Sequence, residues 1–120
     1  MKIHIEDSST TEEIKTKFST VYPFLKLEFY TKGHKDNEGS KKEDLILGVK
    51  EIKDIRTVHN EGDFIITPAS TVSEVEQGFE TLFGIHVQVF RKSGRLWLET
   101  TATDSWPLKE QNEVGMDMDS

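Results

Sequence analysis

The chain opens with a strand–helix–strand pattern of apolar residues. Apolar and polar residues alternate over residues 2–6 and 24–30, which predicts two short strands. Between them, the apolar residues recur at the spacing of one helix face: Ile14, Phe18, Val21 and Tyr22. Thr10 and Glu13 have the spacing of a capping box, in which a hydroxyl and a carboxylate satisfy free N–H groups at a helix start. Pro23 then ends the predicted helix.

The same pattern recurs in the second half of the chain. Thr71 and Glu74 repeat the capping box, and the apolar helix positions fall at the same offsets as before: Val75, Phe79, Leu82 and Phe83. Gly84 ends this helix in the place where glycine accepts a left-handed conformation. Strands are expected on either side, over residues 64–67 and 85–91. The repeat therefore predicts two equivalent βαβ units.

The region between the two units carries a weaker pattern. Residues 31–44 contain no apolar residue, so we expect a mobile loop. Residues 36–39 begin like a calcium-binding loop, but Lys41 and Leu47 stand where that loop needs glycine and glutamate. Residues 45–58 suit a short helix, with Leu45–Leu47 as a strand in the alternative interpretation.

A hairpin and a short helix follow the second unit. Residues 86–92 and 95–101 flank Ser93–Gly94, which has the length and composition of a two-residue hairpin loop. With that loop, Phe90 lies opposite Trp97. Asp104 precedes a helix that starts around residues 105–107 and ends at Gly115.

These elements predict an α+β fold with the ferredoxin-like arrangement of split βαβ units. We expect a mixed or antiparallel sheet with two helices on one face, extended by a C-terminal hairpin strand. Residues 1–115 would form a single α+β domain. Residues 116–120 would be a disordered acidic tail.

The uncovered face of that sheet is the first candidate site. Side-chain alternation places Phe90 and Trp97 on it. The other side chains expected on this face are mostly polar: His4, Glu6, Lys26, Glu28, Tyr30, His86, Gln88 and Glu99. Three interpretations remain open. The rings form a stabilising pair, bare or covered by Trp106 and Leu108; they form a homodimer or partner interface; or they stack on bases.

The distribution of charge limits the kinds of partner that the chain could bind. The chain of 120 residues has a net charge of −7, with 11 basic and 11 acidic residues in its first 60 and 4 basic against 11 acidic in its last 60. Three of those last four cations surround the predicted hairpin turn: Arg91, Lys92 and Arg95. An acidic chain opposes nucleic-acid binding, because that binding neutralises phosphates with Lys and Arg. The cationic turn is either a solvated hairpin end that its charge keeps soluble or a contact for an anion or an acidic partner.

The sequence also favours a soluble, cytoplasmic chain. No apolar run approaches the ~20 residues that span a bilayer, so we expect no membrane association. The alternating start does not resemble a signal peptide. The chain has no cysteine, which excludes disulfides and a thiol nucleophile.

No catalytic motif is present. The phosphate-binding glycine loops, HExxH and GxSxG are all missing, and His59, Glu61 and Asp63 form only a weak metal-ligand pattern. We therefore expect no metal and no cofactor. Catalytic groups can converge from distant positions, so an enzyme is not excluded, although we expect none.

We hypothesise a non-enzymatic protein-interaction or self-association module, with a homodimer or another protein as partner. Its binding residues would be Phe90, Trp97, His86, Gln88, Glu99, Arg91, Lys92 and Arg95. The alternative is a small-molecule-binding or enzymatic ferredoxin-like domain, with a pocket between the sheet and residues 31–44 or the C-terminal segment.

Overall fold

The computed structural model describes residues 1–35 and 37–119, except for the side chain of Asp119. Asp36, the first residue of the calcium-loop resemblance, and Ser120, the last of the predicted tail, lie outside the described residues. The elements are β1 (Lys2–Ile5), α1 (Thr11–Val21), β2 (Leu25–Tyr30), β3 (Gly62–Ile65), α2 (Val72–Phe83), β4 (His86–Ser93), β5 (Leu96–Glu99) and α3 (Leu108–Asp119). Two short 3₁₀ turns, Lys42–Asp44 and Ile52–Asp54, lie between β2 and β3.

The fold is α+β, with its five strands in two antiparallel sheets. β1 pairs with β3, and β2, β4 and β5 form a second sheet in the order β2–β4–β5. This differs from the single sheet of the ferredoxin-like prediction. β1 and β2 flank the same helix but enter different sheets, and β1 pairs with β3 in antiparallel orientation.

One hydrophobic core joins the two sheets to the helices. The predicted apolar faces supply it, with Phe18 and Phe79 fully buried from α1 and α2. The third apolar position of each helix, Val21 or Leu82, is about half exposed instead. Phe64 of β3 packs edge-on against Phe79 and lies against the backbone of Gly78, where any side chain would meet its ring.

Residues 45–58 do not form the predicted helix. Leu45 makes an isolated bridge to Tyr30, and Ile46 N–H donates to the Phe29 carbonyl, so the chain runs beside β2 here. Ile52 is fully buried, whereas Leu47 and Val49 are exposed. The apolar residues therefore belong to separate contacts rather than to one helix face.

The C-terminal helix begins beside the start of α2 and continues further than the sequence suggested. Leu108 N–H donates to Ser70 O, and Val72 N–H donates to Trp106 O. Leu108 is fully buried in the core. The prediction of a disordered tail from Met116 differs from the structure, in which residues 116–119 are helical.

Candidate functional site

The sheet β2–β4–β5 has one face in the core and one face turned outwards. The core face carries the buried apolar residues of β2 and β4: Leu25, Leu27, Phe29, Val87 and Val89. On the outward face, Lys26 lies opposite Phe90, and Phe90 lies opposite Glu99. His4 and Glu6, which we expected on this face, belong instead to the β1 side of the molecule, where His4 contacts Glu6 and Asp63.

The hairpin turn is one residue later than predicted. Ser93 pairs with Leu96, so the two-residue loop is Gly94–Arg95. Gly94 has a φ of 61°, which suits the type II′ turn, because that turn places glycine at its first central position. Lys92 rather than Phe90 is therefore opposite Trp97. Each strand moves by one position in the pairing, so Phe90 and Trp97 still share a face, as diagonal neighbours.

Phe90 and Trp97 form the floor of an open groove of about 530 Å³. The residues that line this groove are Lys26, Glu28, Tyr30, Lys42, Leu45, Phe90, Trp97, Leu98 and Glu99. The Lys26 ammonium lies 5.0 Å from the centre of the Trp97 ring and 5.4 Å from that of Phe90, within the range of cation–π attraction. Sequence reasoning placed Lys26 on this face but missed its position over the two rings.

The charges around the groove are largely paired with one another. The Glu28 carboxylate lies 3.3 Å from the Lys15 ammonium and 3.6 Å from that of Lys26. Burial, together with the negative charges of Glu99 and Glu28, raises the pKa of Tyr30 well above its ordinary value. Tyr30 therefore presents a neutral hydroxyl at physiological pH, and the groove offers aromatic surface edged by both signs of charge.

The other half of the outward face is covered by the segment that follows β2. We call residues 31–35 and 37–45 the strap. The Ser40 hydroxyl lies 3.2 Å from Gln88 Oε1, and the backbone N–H of Asn37 donates to Asp104 at 2.7 Å. Gln88 is fully buried in consequence. The expected free loop is thus held at several points by polar contacts.

Several predicted binding residues are therefore not on the open surface. Gln88 lies under the strap, and His86 is partly buried against Gly33 and Glu80. Arg91 points to the core side, where its guanidinium donates to Gln111 at 2.7 Å and lies 5.8 Å from the Trp106 ring. Trp106 thus stacks near Arg91 and does not cover the Phe90–Trp97 pair.

The predicted cationic turn is consequently smaller than the sequence suggested. With Arg91 engaged by α3, it consists of Lys92, which faces the same way as Trp97, and Arg95 in the exposed turn. Phe90, Trp97, Glu99, Lys92 and Arg95 are the predicted residues that the structure brings together on the open side of the hairpin.

A separate small cavity lies between the strap and α2. Its volume is about 20 Å³, and its walls include His34, Glu76, Glu80 and His86. The Nε2 atom of His34 is 3.5 Å from Glu76 Oε1. This volume suits one water molecule rather than a substrate, so the cavity offers little to the enzymatic alternative.

The weak metal-ligand pattern of the sequence does not converge. His59 contacts Asp7 at 2.8 Å, whereas Asp63 contacts His4 at 2.9 Å. Within residues 1–35 and 37–119, no three His, Asp or Glu side chains are grouped so that they could hold a metal ion. The expectation of no cofactor stays a prediction.

The feature that sequence reasoning missed is the free edge of β5. β5 ends the sheet, and no backbone hydrogen bond among the described residues joins its outer side to another segment. Three consecutive apolar side chains on it are exposed: Leu96 (67%), Trp97 (36%) and Leu98 (42%). Leu96 and Leu98 lie on the same side of the sheet as Arg91, and side-chain alternation alone does not show that they are exposed there.

Comparisons with family models, with curated proteins and with solved structures find no match for this chain. No helix of the described residues is long and apolar enough to cross a bilayer. The arrangement of the site is therefore the basis for the function proposed below.

Proposed function

We propose that the chain is a non-enzymatic interaction module that binds an extended polypeptide segment along the outer edge of β5. The observation that carries this proposal is the edge itself, where Leu96, Trp97 and Leu98 are all exposed. Natural proteins protect exposed strand edges with charges, prolines or covering segments, because a free edge pairs with other strands. An uncovered apolar edge is the geometry used in strand addition.

The backbone of β5 supports strand addition in detail. Thr100 N–H donates to the Val89 carbonyl, so Thr100 is a hydrogen-bonded position facing β4. Because hydrogen-bonded positions alternate along an antiparallel strand, the N–H and C=O groups of Trp97 and Glu99 point away from β4. The groups of Trp97 are open to a strand laid alongside, and the groove at Trp97 receives that strand's side chains, while Gly39 of the strap lies against the Glu99 carboxylate.

A small molecule in the groove is the second candidate function. The groove volume of about 530 Å³ lies within the range of small-ligand pockets. It also lies between the sheet and the strap residues Lys42 and Leu45, close to where the alternative hypothesis placed a pocket. Glu28 is already paired with two lysines, however, and the site is open to solvent, which favours the polypeptide.

A library of short linear peptides tests the proposal. We expect peptides with alternating apolar residues to be enriched on the wild-type chain and lost on Leu96→Lys, which places a charge on the edge. Leu47→Lys is the matched control, because Leu47 is a similarly exposed leucine (74%) in the segment between the strap and Ile52. Equal enrichment on both variants, or none on a wild-type chain that is also monomeric, would contradict strand addition at β5.

A further inference from the structure

We infer that the segment bound at this edge is β5 of a second copy of the chain, so that two copies form an antiparallel pair about a two-fold axis at Trp97. The inference rests on the proposed function and names its partner. It follows from the order of the side chains along the edge. When two copies of a strand pair antiparallel about a two-fold axis, a residue on one side of the axis faces the residue at the same distance on the other side, so these two residues must suit each other.

The register is restricted by the backbone. Only outward-facing positions can exchange hydrogen bonds with a new strand, and on β5 these are Trp97 and Glu99. A register centred on Trp97 places it opposite Trp97 of the partner subunit. Arg95 then lies opposite Glu99 of the partner subunit, and Leu96 opposite Leu98 of the partner subunit.

This register is complementary on both faces. Leu96 and Leu98 share one face, so the leucine pairs bury apolar groups that are about half exposed or more in the single chain. On the other face, the two-fold axis creates two pairs of opposite charge, each joining Arg95 to Glu99 of the partner subunit. The chain is acidic overall, and in this register Arg95 faces a glutamate of the partner subunit rather than another cation.

The neighbouring registers lack this complementarity. Moving one strand by two residues places Trp97 opposite Glu99 of the partner subunit and Arg95 opposite Thr101 of the partner subunit. Moving it the other way places Arg95 opposite Trp97 of the partner subunit and leaves Glu99 without a cation. The register centred on Trp97 therefore gives the best match of charge and apolar surface.

Charge reversal tests the register directly. Sedimentation of the full chain over a range of concentrations should show a monomer–dimer equilibrium for the wild type. Arg95→Glu and Glu99→Arg should each raise the dissociation constant about tenfold or more, because each variant creates two like-charge pairs. The double variant R95E/E99R should restore dimerisation. Lys109→Glu, an exposed reversal on α3, should leave it unchanged.

Two outcomes would overturn the inference. One is a wild-type chain that stays monomeric. If the peptide library still binds the β5 edge in that case, the module has another partner and the proposed function stands. If the peptides do not bind either, both the second copy and the proposed function are wrong. The other is a dimer that neither charge reversal weakens, which places the interface elsewhere. Circular dichroism checks that each variant remains folded.

Cross-linking supplies a second, independent test. The chain has no cysteine, so Trp97→Cys introduces one thiol for each copy. In a hydrogen-bonded antiparallel pair the two Cα atoms are about 5.5 Å apart, within the range that a disulfide spans. Mild oxidation should therefore cross-link Trp97→Cys. It should not cross-link Glu99→Cys, because the two thiols of that variant would lie on opposite sides of the axis, each two residues away from it. Equal cross-linking of both variants would refute the two-fold axis at Trp97.

Discussion

His34 is held with both ring nitrogens facing acceptors. Its Nδ1 lies 2.9 Å from the Lys35 carbonyl oxygen and its Nε2 lies 3.5 Å from the Glu76 carboxylate, and the ring also hydrogen-bonds the backbone of Val87. The imidazolium form, with a proton on each nitrogen, fits these contacts best. Its side chain is only 10% exposed, so these contacts lie inside the molecule and join the strap to α2 and β4.

The pH dependence of this contact can be predicted. Burial lowers the pKa of His34, but the carbonyls of Lys35 and Val87 and the charges of Glu76 and Glu80 together raise it above its ordinary value. His86 is the other titratable group at this cavity. A raised pKa stabilises the fold fully below the unfolded value of about 6.5, and that contribution is lost as pH rises through the folded pKa.

We therefore expect His34→Gln to cost more stability at pH 6 than at pH 9. Urea unfolding of the wild type and the variant at both values measures this, and the difference between the two proteins removes the contributions of the other histidines. His59→Gln, on an exposed imidazole, serves as the control variant. A loss that is equal at both pH values would show that His34 contributes only by packing.

Prediction at the scale of residues succeeded where the alternation of side chains along a strand determines which face a residue occupies. Alternation placed Phe90 and Trp97 on one face, and this survived the error in the turn, because a two-residue loop moved by one residue preserves the parity of every pair. The position of the turn itself depends on whether Ser93 or Gly94 takes the first central position. Backbone conformation settles that question at Gly94, with its φ of 61°.

At the scale of elements, the two repeated helices differ at their N-termini. Both Thr10 and Thr71 accept a hydrogen bond from the backbone three residues on. Only around Thr71 does the carboxylate of Glu74 accept the reciprocal bond, at 3.2 Å. The chain forms an isolated bridge at both helix starts, from Thr10 to Glu51 and from Thr71 to Pro107, so the bridge does not account for the difference. The predicted capping box is therefore complete in α2 alone.

This difference predicts unequal effects of two matched substitutions. Glu74→Ala should lower the free energy of unfolding by about 0.5–1 kcal/mol, because it removes the reciprocal hydrogen bond. Glu13→Ala should change it much less. Both carboxylates lie in the first turn of a helix, so their interaction with the helix dipole is the same in the two variants. Chemical unfolding of both proteins measures the difference, and equal losses would contradict this account.

The strap shows why the cover over one half of the outward sheet face could not be predicted from the sequence. Before Leu45 its sequence has no apolar residue, so hydrophobic periodicity predicts nothing but a loop there. Its contacts are made by polar groups: His34 with Glu76, Asn37 with Asp104 and Ser40 with Gln88. Such pairs depend on groups far apart in sequence, so only the folded chain reveals that half of the sheet face is covered.

At the scale of the whole molecule, the division into two sheets has a functional consequence. Local patterns predicted the strands and helices but not their partners, since strand pairing is set by packing between distant segments. β1 pairs with β3, so the larger sheet ends at β5 with a free edge. Under the proposal that a second copy pairs with β5, association would be linked to the stability of the chain through that hairpin.

This linkage gives a prediction for the intact chain. If two copies pair through β5, dimerisation draws the folding equilibrium towards the native state, so Tm should rise with protein concentration. Over a roughly hundredfold concentration range we expect an increase of about 5 °C for the wild type, measured by scanning calorimetry. The increase should nearly vanish in Arg95→Glu and return in R95E/E99R.

Salt separates this linkage from non-specific effects. The two Arg95–Glu99 pairs would lie near the surface, so added salt should screen them and reduce the concentration dependence of Tm in the wild type. The charge-reversed single variant should respond in the opposite sense, because salt relieves its like-charge repulsion. A Tm that does not vary with protein concentration at any salt level would exclude the second copy as the partner of β5. A concentration dependence of Tm that Arg95→Glu does not change would place the association on another surface.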